Sequence, residues 1–246
     1  PGDSATVAFT TLVATTRERA FHLASRYHDP HSAQRALDLA WTSQQVELRE
    51  LDVTPADAAV FQEMAGYLLY PRPELRAPES ELRENRGSLP LLWKHGISGD
   101  WPILLATIDS QAGLPTLRQL FAAHHYWRRR GLTIDLVILN TQVSSYLQEL
   151  HDWMIAAMFA ANDSEMDRPG GVFIRRGDGF RADELLMLRA TARVSIFCDG
   201  RSLGRLIEHA ATVAAAVNSR WTRALPAAPM RSRSAASPSR RISAAA

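Results

Sequence analysis

Trp93, His95, Asp100 and Trp101 could together handle a sugar. The two tryptophans flank Gly96-Ile-Ser-Gly-Asp100, with His95 and Asp100 between them. A sugar ring packs its C–H face on an indole and needs fixed polar groups for its hydroxyls. The opposing reading makes both tryptophans packing residues and the glycine loop a structural turn, with Asp100 bonding local backbone. Glycines of this kind can also present a nest of N–H groups to an anion. A phosphate cradle in a crossover unit, however, follows a strand and opens a helix. Here the loop precedes the apolar run Ile103 to Ile108, so the turn reading is preferred.

Other chemistries find less support. His22, His28 and His31 fall at a helix end and turn, while His124, His125 and His151 belong to two different helices. None has the spacing of a metal-binding pair, so they read as surface or core histidines. Asp135 lies inside a strand and is expected to face an edge or to bond backbone rather than act as a buried functional acid. Cys198 is the single cysteine, which excludes an internal disulfide and a thiolate metal site; its apolar neighbours make it a core residue. The tripeptide Arg176-Gly177-Asp178 matches an adhesion motif by coincidence and reads as a bare turn.

The elements that must position these residues are legible. Ile103 to Ile108 and Ile134 to Leu139 are short apolar runs between turn residues, the pattern of strands buried on both faces. Between them Leu114, Leu117, Leu120, Phe121 and His124 recur at helical spacing. Pro115 suits the first turn, Arg128 to Arg130 the last, and Gly131 the stop. The spacing predicts parallel strands joined by a right-handed crossover. A helix over 144–161, a strand at Val172 to Ile174, a helix over 183–190, a strand at Val194 to Phe197 and a helix from Ser202 extend the alternation. Upstream, helices are expected over 16–27 and 31–51, the second with Ala33, Leu37, Ala40, Trp41 and Leu48 on one face. Thr54-Pro55-Ala56-Asp57 is a cap, first-turn proline and first-turn acid, opening a helix to residue 70. Val7 to Ala14 reads as a strand with nothing before it to pair with.

Composition narrows the class. With 46% hydrophobic and 22% charged residues, the 246-residue chain is ordinary for a globular protein. No apolar run approaches a membrane span and no signal peptide is recognisable. The net charge of +2 includes six arginines after Glu208, so residues 1 to 219 carry −4. That balance excludes a nucleic-acid footprint. From Asn218 the chain turns to Ala, Ser, Arg and Pro, a composition that predicts disorder over 218–246. Such a peptide is what a frameshifted GC-rich gene or a vector supplies; a basic interaction tail is the alternative.

Several segments carry a resemblance. Leu92-Trp-Lys-His-Gly-Ile-Ser-Gly-Asp100 with Pro102-Ile-Leu-Leu105, and His124 to Asn140, resemble cyclic β-1,2-glucan synthases. The match is to their large region related to cellobiose phosphorylases (glycoside hydrolase family 94, formerly glycosyltransferase family 36). Gln45 to Arg49, Phe61-Gln62 and Leu68 to Tyr70 fit the same pattern upstream; Gly170 to Arg175 and Glu184 to Arg189 fit it downstream. The resemblance spans roughly residues 5 to 208. It implies that Val7 to Ala14 belongs to a β-sandwich lying mostly upstream, and that a further sandwich follows where this chain turns to its Ala/Arg stretch. It also implies that the catalytic aspartate of phosphorolysis lies in a helical barrel downstream. Glucosyl transfer from UDP-glucose belongs to a membrane-embedded region upstream. No catalytic residue is therefore carried over.

The expected fold is mixed α/β. A residual strand at 1–15 and a helical subdomain with connecting loop at 16–92 precede a small three-layer α/β subdomain with a mainly parallel sheet at 93–217. The expected function is that of a non-catalytic internal piece, with no cofactor and no metal, beside neighbouring domains of a longer polypeptide and in reach of a β-glucan. It would be cytoplasmic as a soluble fragment, from a family associated with the inner membrane. The alternatives are a self-standing β-glucan-binding module and a Rossmann-like nucleotide-binding protein; the latter is disfavoured because no Gly-rich turn follows a strand.

Overall fold

The computed structural model describes residues 2, 7, 9–29, 31–142, 149–161, 163 and 165–224, with backbone alone for 214–224. Four strands form one sheet: β1 (Ile103–Ile108), β2 (Asp135–Asn140), β3 (Val172–Arg176) and β4 (Val194–Phe197). Their order is β3-β2-β1-β4 and every pairing is parallel. The register sets Leu104 against Leu136 and Val194, and Leu136 against Val172.

Nine helices accompany the sheet among the described residues: α1 (Arg17–Tyr27), α2 (His31–Glu50), α3 (Pro55–Leu69), α4 (Glu79–Glu84), α5 (Pro90–Trp93), α6 (Leu114–Arg129), α7 (Glu149–Ala160), α8 (Ala182–Thr191) and α9 (Leu203–Ala224). The path β1-α6-β2-α7-β3 steps one way across the sheet, and β3-α8-β4 jumps back past two strands to the far edge. Crossovers of one hand that travel in opposite directions must use opposite faces. Accordingly Leu104, Ala106, Ile108, Leu136 and Ile138 pack with α3, α6, α7 and α9. Ile103, Leu105, Val137, Leu139 and Phe173 pack with α5 and α8 on the other side. The expected three-layer arrangement is present, and the strands are buried on both faces as their apolar runs required.

Local chemistry explains the helix ends. The Thr54 hydroxyl accepts from the Asp57 N–H at 3.1 Å and Asp57 answers the Thr54 N–H, with Pro55 in the first turn. Gly131 leaves α6 at φ +78, a conformation that costs an L side chain about 1 kcal/mol or more. The α3 helix joins the sheet's first face rather than standing apart: the Trp127 indole N–H donates to the Phe61 carbonyl at 2.9 Å. Gln62 reaches the Tyr126 hydroxyl at 3.0 Å.

Three expectations change. The described residues over 7–14 form no strand. Strand structure needs a partner, and the four-stranded sheet does not include these residues. The apolar face of α2 is not core: Leu37 and Trp41 are 65% and 64% exposed, and only Ser32 and Leu48 of the helix are buried. Helical spacing identifies such a face but not what covers it. The final helix runs to Ala224, into the stretch read as disordered; 225–246 lie outside the described residues. So does the predicted start of the helix at 144; α7 is described from Glu149.

Candidate functional site

The glycine loop after α5 turns twice through left-handed backbone, at Gly96 (φ +77) and Gly99 (φ +79). Between these turns the four candidate residues part company. Trp93, at the end of α5, is 60% exposed, and its indole N–H donates to the Ser98 carbonyl at 3.2 Å. Trp93 and Asp100 line one hollow of about 330 Å³ with Leu89, Gly96, Ile97 and Ser98. Trp101 is half-exposed and outside that lining.

His95 faces the other way. Its ring stacks on Phe180 at 3.6 Å between centroids, and Nε2 lies 3.2 Å from the Glu184 carboxylate. Glu184 is buried on α8, where it also meets Lys94 Nζ at 2.5 Å and accepts from the Arg181 N–H at 2.9 Å. The bond from Lys94, then the Arg181 N–H, outweigh burial and pull its carboxyl down to about 2. From β3, Arg175 donates to the His95 carbonyl at 2.7 Å and pairs with Asp167 at the same distance. Three separated stretches of sequence, around Lys94-His95, Arg175 and Glu184, are thus tied into one clamp beneath the loop.

Asp100 does not supply the local bond expected of it. Its backbone N–H donates to the Ser98 hydroxyl at 3.2 Å, while its carboxylate is exposed and has no partner among the described residues. Two residues on, where an aspartate side chain commonly finds an N–H, stands Pro102, which has none. Sequence reasoning missed Arg175, Glu184 and Phe180 as partners of the loop. Glu184 looks like any first-turn acid, and no local spacing shows a contact across 89 residues.

The remaining candidates serve structure. Asp135 is buried at the start of β2 and accepts from the Gly170 N–H at 2.7 Å, the backbone bond expected of it. Its second oxygen has no partner, and burial pushes its carboxyl upward. His124 is buried between Asp163 and the Ile134 carbonyl. Cys198 is buried, and burial pushes its thiol up to about 12, which leaves it a poor nucleophile. Among the described residues no group of three or more His, Cys, Asp or Glu could hold a metal ion. A larger hollow of about 700 Å³ lies between α4 and α8, walled by Glu81, Glu84, Arg86, Asp183 and Arg189.

At the carboxyl edge of the sheet β1 leads to α6 and β4 to α9, both on the first face, and the two connecting loops pack closely together. A Cβ on Gly113 would sit 2.3 Å from the Cys198 carbonyl oxygen, and one on Gly200 2.6 Å from that of Ala112. The Thr116 hydroxyl ties them, donating to the Arg201 carbonyl at 2.7 Å and accepting from the Gly200 N–H at 3.0 Å.

Comparison with known proteins agrees with the resemblance noted above. The chain is 38% identical over 149 residues to the cyclic beta-(1,2)-glucan synthase NdvB of Rhizobium meliloti (strain 1021). The match covers 61% of this chain and 5% of that protein, as an internal stretch of a much longer polypeptide would. No family model matches the chain. No described helix is long and apolar enough to cross a membrane.

Proposed function

We propose that this chain is a supporting, non-catalytic α/β piece of a cyclic β-1,2-glucan synthase-like enzyme, one that spaces its sugar-handling domains. The observation that carries this reading is the clamp. Lys94, His95, Arg175 and Glu184 belong to the segments that resemble the glucan synthases, and they spend their polar groups on one another. Residues committed this way hold a loop in shape; they offer no free acid, base or nucleophile to a substrate. The exposed apolar side chains of α1 and α2, among them Phe21, Leu37, Leu39 and Trp41, suit contact with neighbouring domains of a longer polypeptide. Pure protein supplied with β-1,2-glucan and phosphate, or with UDP-glucose, should release no glucose 1-phosphate and extend no glucan. Turnover that a point substitution within the chain abolishes would overturn the reading.

A nucleotide-binding role finds no support in the loops after β1 and β4, which lead to the same face of the sheet and pack against each other. Glucan binding has one observation in its favour, the exposed Trp93 beside a hollow.

A further inference from the structure

We infer that the hollow beside Trp93 binds a short stretch of neutral glucan, one or two pyranose rings, and does so without catalysing anything. The inference rests on the glucan-synthase reading above for the identity of the sugar, and on geometry for the site itself. Trp93 exposes most of its indole, yet the bond from its N–H to the Ser98 carbonyl fixes the ring in place. An exposed aromatic that is already immobilised loses little entropy when a sugar face stacks on it. Gly99 shapes the wall: a Cβ there would lie 2.7 Å from Leu89 Cδ2, so its absence lets Leu89 close over the loop. The hollow, about 330 Å³, lies at the lower end of small-ligand sites.

Charge selects the ligand class. Asp100 is the one charged residue of the lining, and its carboxylate is unpaired among the described residues. Of the nearby cations, Lys94 is held by Glu184, and Arg175, whose guanidinium lies beside Gly96, is paired with Asp167. An unpaired carboxylate accepts hydrogen bonds from vicinal sugar hydroxyls and repels a phosphate. The Ser98 hydroxyl, which accepts from the Asp100 N–H, still has a proton to donate. The site therefore fits a neutral sugar chain and rejects glucose 1-phosphate and sugar nucleotides.

Calorimetric titration of the full chain with a linear β-1,2-linked glucan should give saturable binding. Asp100→Ala should weaken it by about tenfold or more, the loss of a hydrogen bond to a charged group. Trp93→Ala should abolish it, and Trp101→Ala, outside the lining, should leave it unchanged. Glucose 1-phosphate should give no heat at the same concentration. Asp100 has no partner to lose, so its variant keeps the test valid even if Trp93→Ala fails to fold. Binding of a β-1,4-linked oligosaccharide in place of the β-1,2 glucan, with the same dependence on Trp93, would uphold the site and overturn the glucan-synthase reading beneath it. Absence of saturable binding to any of these sugars by folded protein would overturn the inference. Binding indifferent to both Trp93→Ala and Asp100→Ala would overturn it equally.

Discussion

Removing Arg175 tests whether the glycine loop is held by the clamp beneath it. The guanidinium donates to the His95 carbonyl at 2.7 Å and to the Ile174 carbonyl at 3.0 Å, pairs with Asp167, and lies over the Phe173 ring. A hydrogen bond from a charged donor contributes roughly 1.5–3 kcal/mol. The Asp167 pair is half in solvent and adds about 0–1 kcal/mol. Arg175→Ala should therefore cost about 1.5–4 kcal/mol, a fall in Tm of roughly 3–16 °C for a chain of this size. Gly96 refines the argument. Its φ of +77 makes Gly96→Ala cost about 1–2 kcal/mol from backbone strain alone. The new Cβ would also sit 3.1 Å from Arg175 Nη2, closer than most side chains tolerate. In an Arg175→Ala background that contact is gone, so the double variant should lose less than the two single losses together. Urea denaturation followed by far-UV circular dichroism, with an unchanged slope, gives each value. An Arg175→Ala cost within about 0.5 kcal/mol of zero, the range of ordinary surface substitutions, would refute the clamp.

Two acids should make opposite contributions to pH dependence. Burial raises the Asp135 carboxyl in the folded chain, so folding retains its proton to higher pH than the unfolded chain does. Its contribution is thus most favourable in acid and declines as pH rises through the raised value. Asp135→Asn keeps an acceptor for Gly170, and its stability relative to wild type should improve steadily from acid toward neutral pH; a flat difference would count against the burial argument. Glu184, depressed to about 2 by Lys94 and the Arg181 N–H, stabilises the fold above the ordinary glutamate range and loses that contribution as pH falls toward 2. The gap between wild type and Glu184→Gln should be widest at neutral pH and close in acid, as read by urea midpoints at a series of pH values. A gap that persists at the acid end would place the role of Glu184 in packing.

Much of this protein is written in local sequence. The runs Ile103 to Ile108 and Ile134 to Leu139 read as strands covered on both faces, because each is mostly apolar and too short for a buried helix, and the observed strands fall within one residue of them. Thr54, Pro55 and Asp57 state the start of α3 within four residues, since capping is a contact between near neighbours. Gly96 and Gly99 announce left-handed turns because other residues resist that backbone. What only the tertiary structure decided is which distant elements meet. Nothing along the chain says that β4 returns to pair with β1, and that choice sends α8 across to the second face. With α8 there, Glu184 lies under Lys94 and His95, and His95, one of the four candidate sugar contacts, is turned inward. The apolar face of α2 was equally legible, but its exposure was not. Periodicity records which side of a helix avoids water, whereas burial is settled by whatever surface folding brings against it.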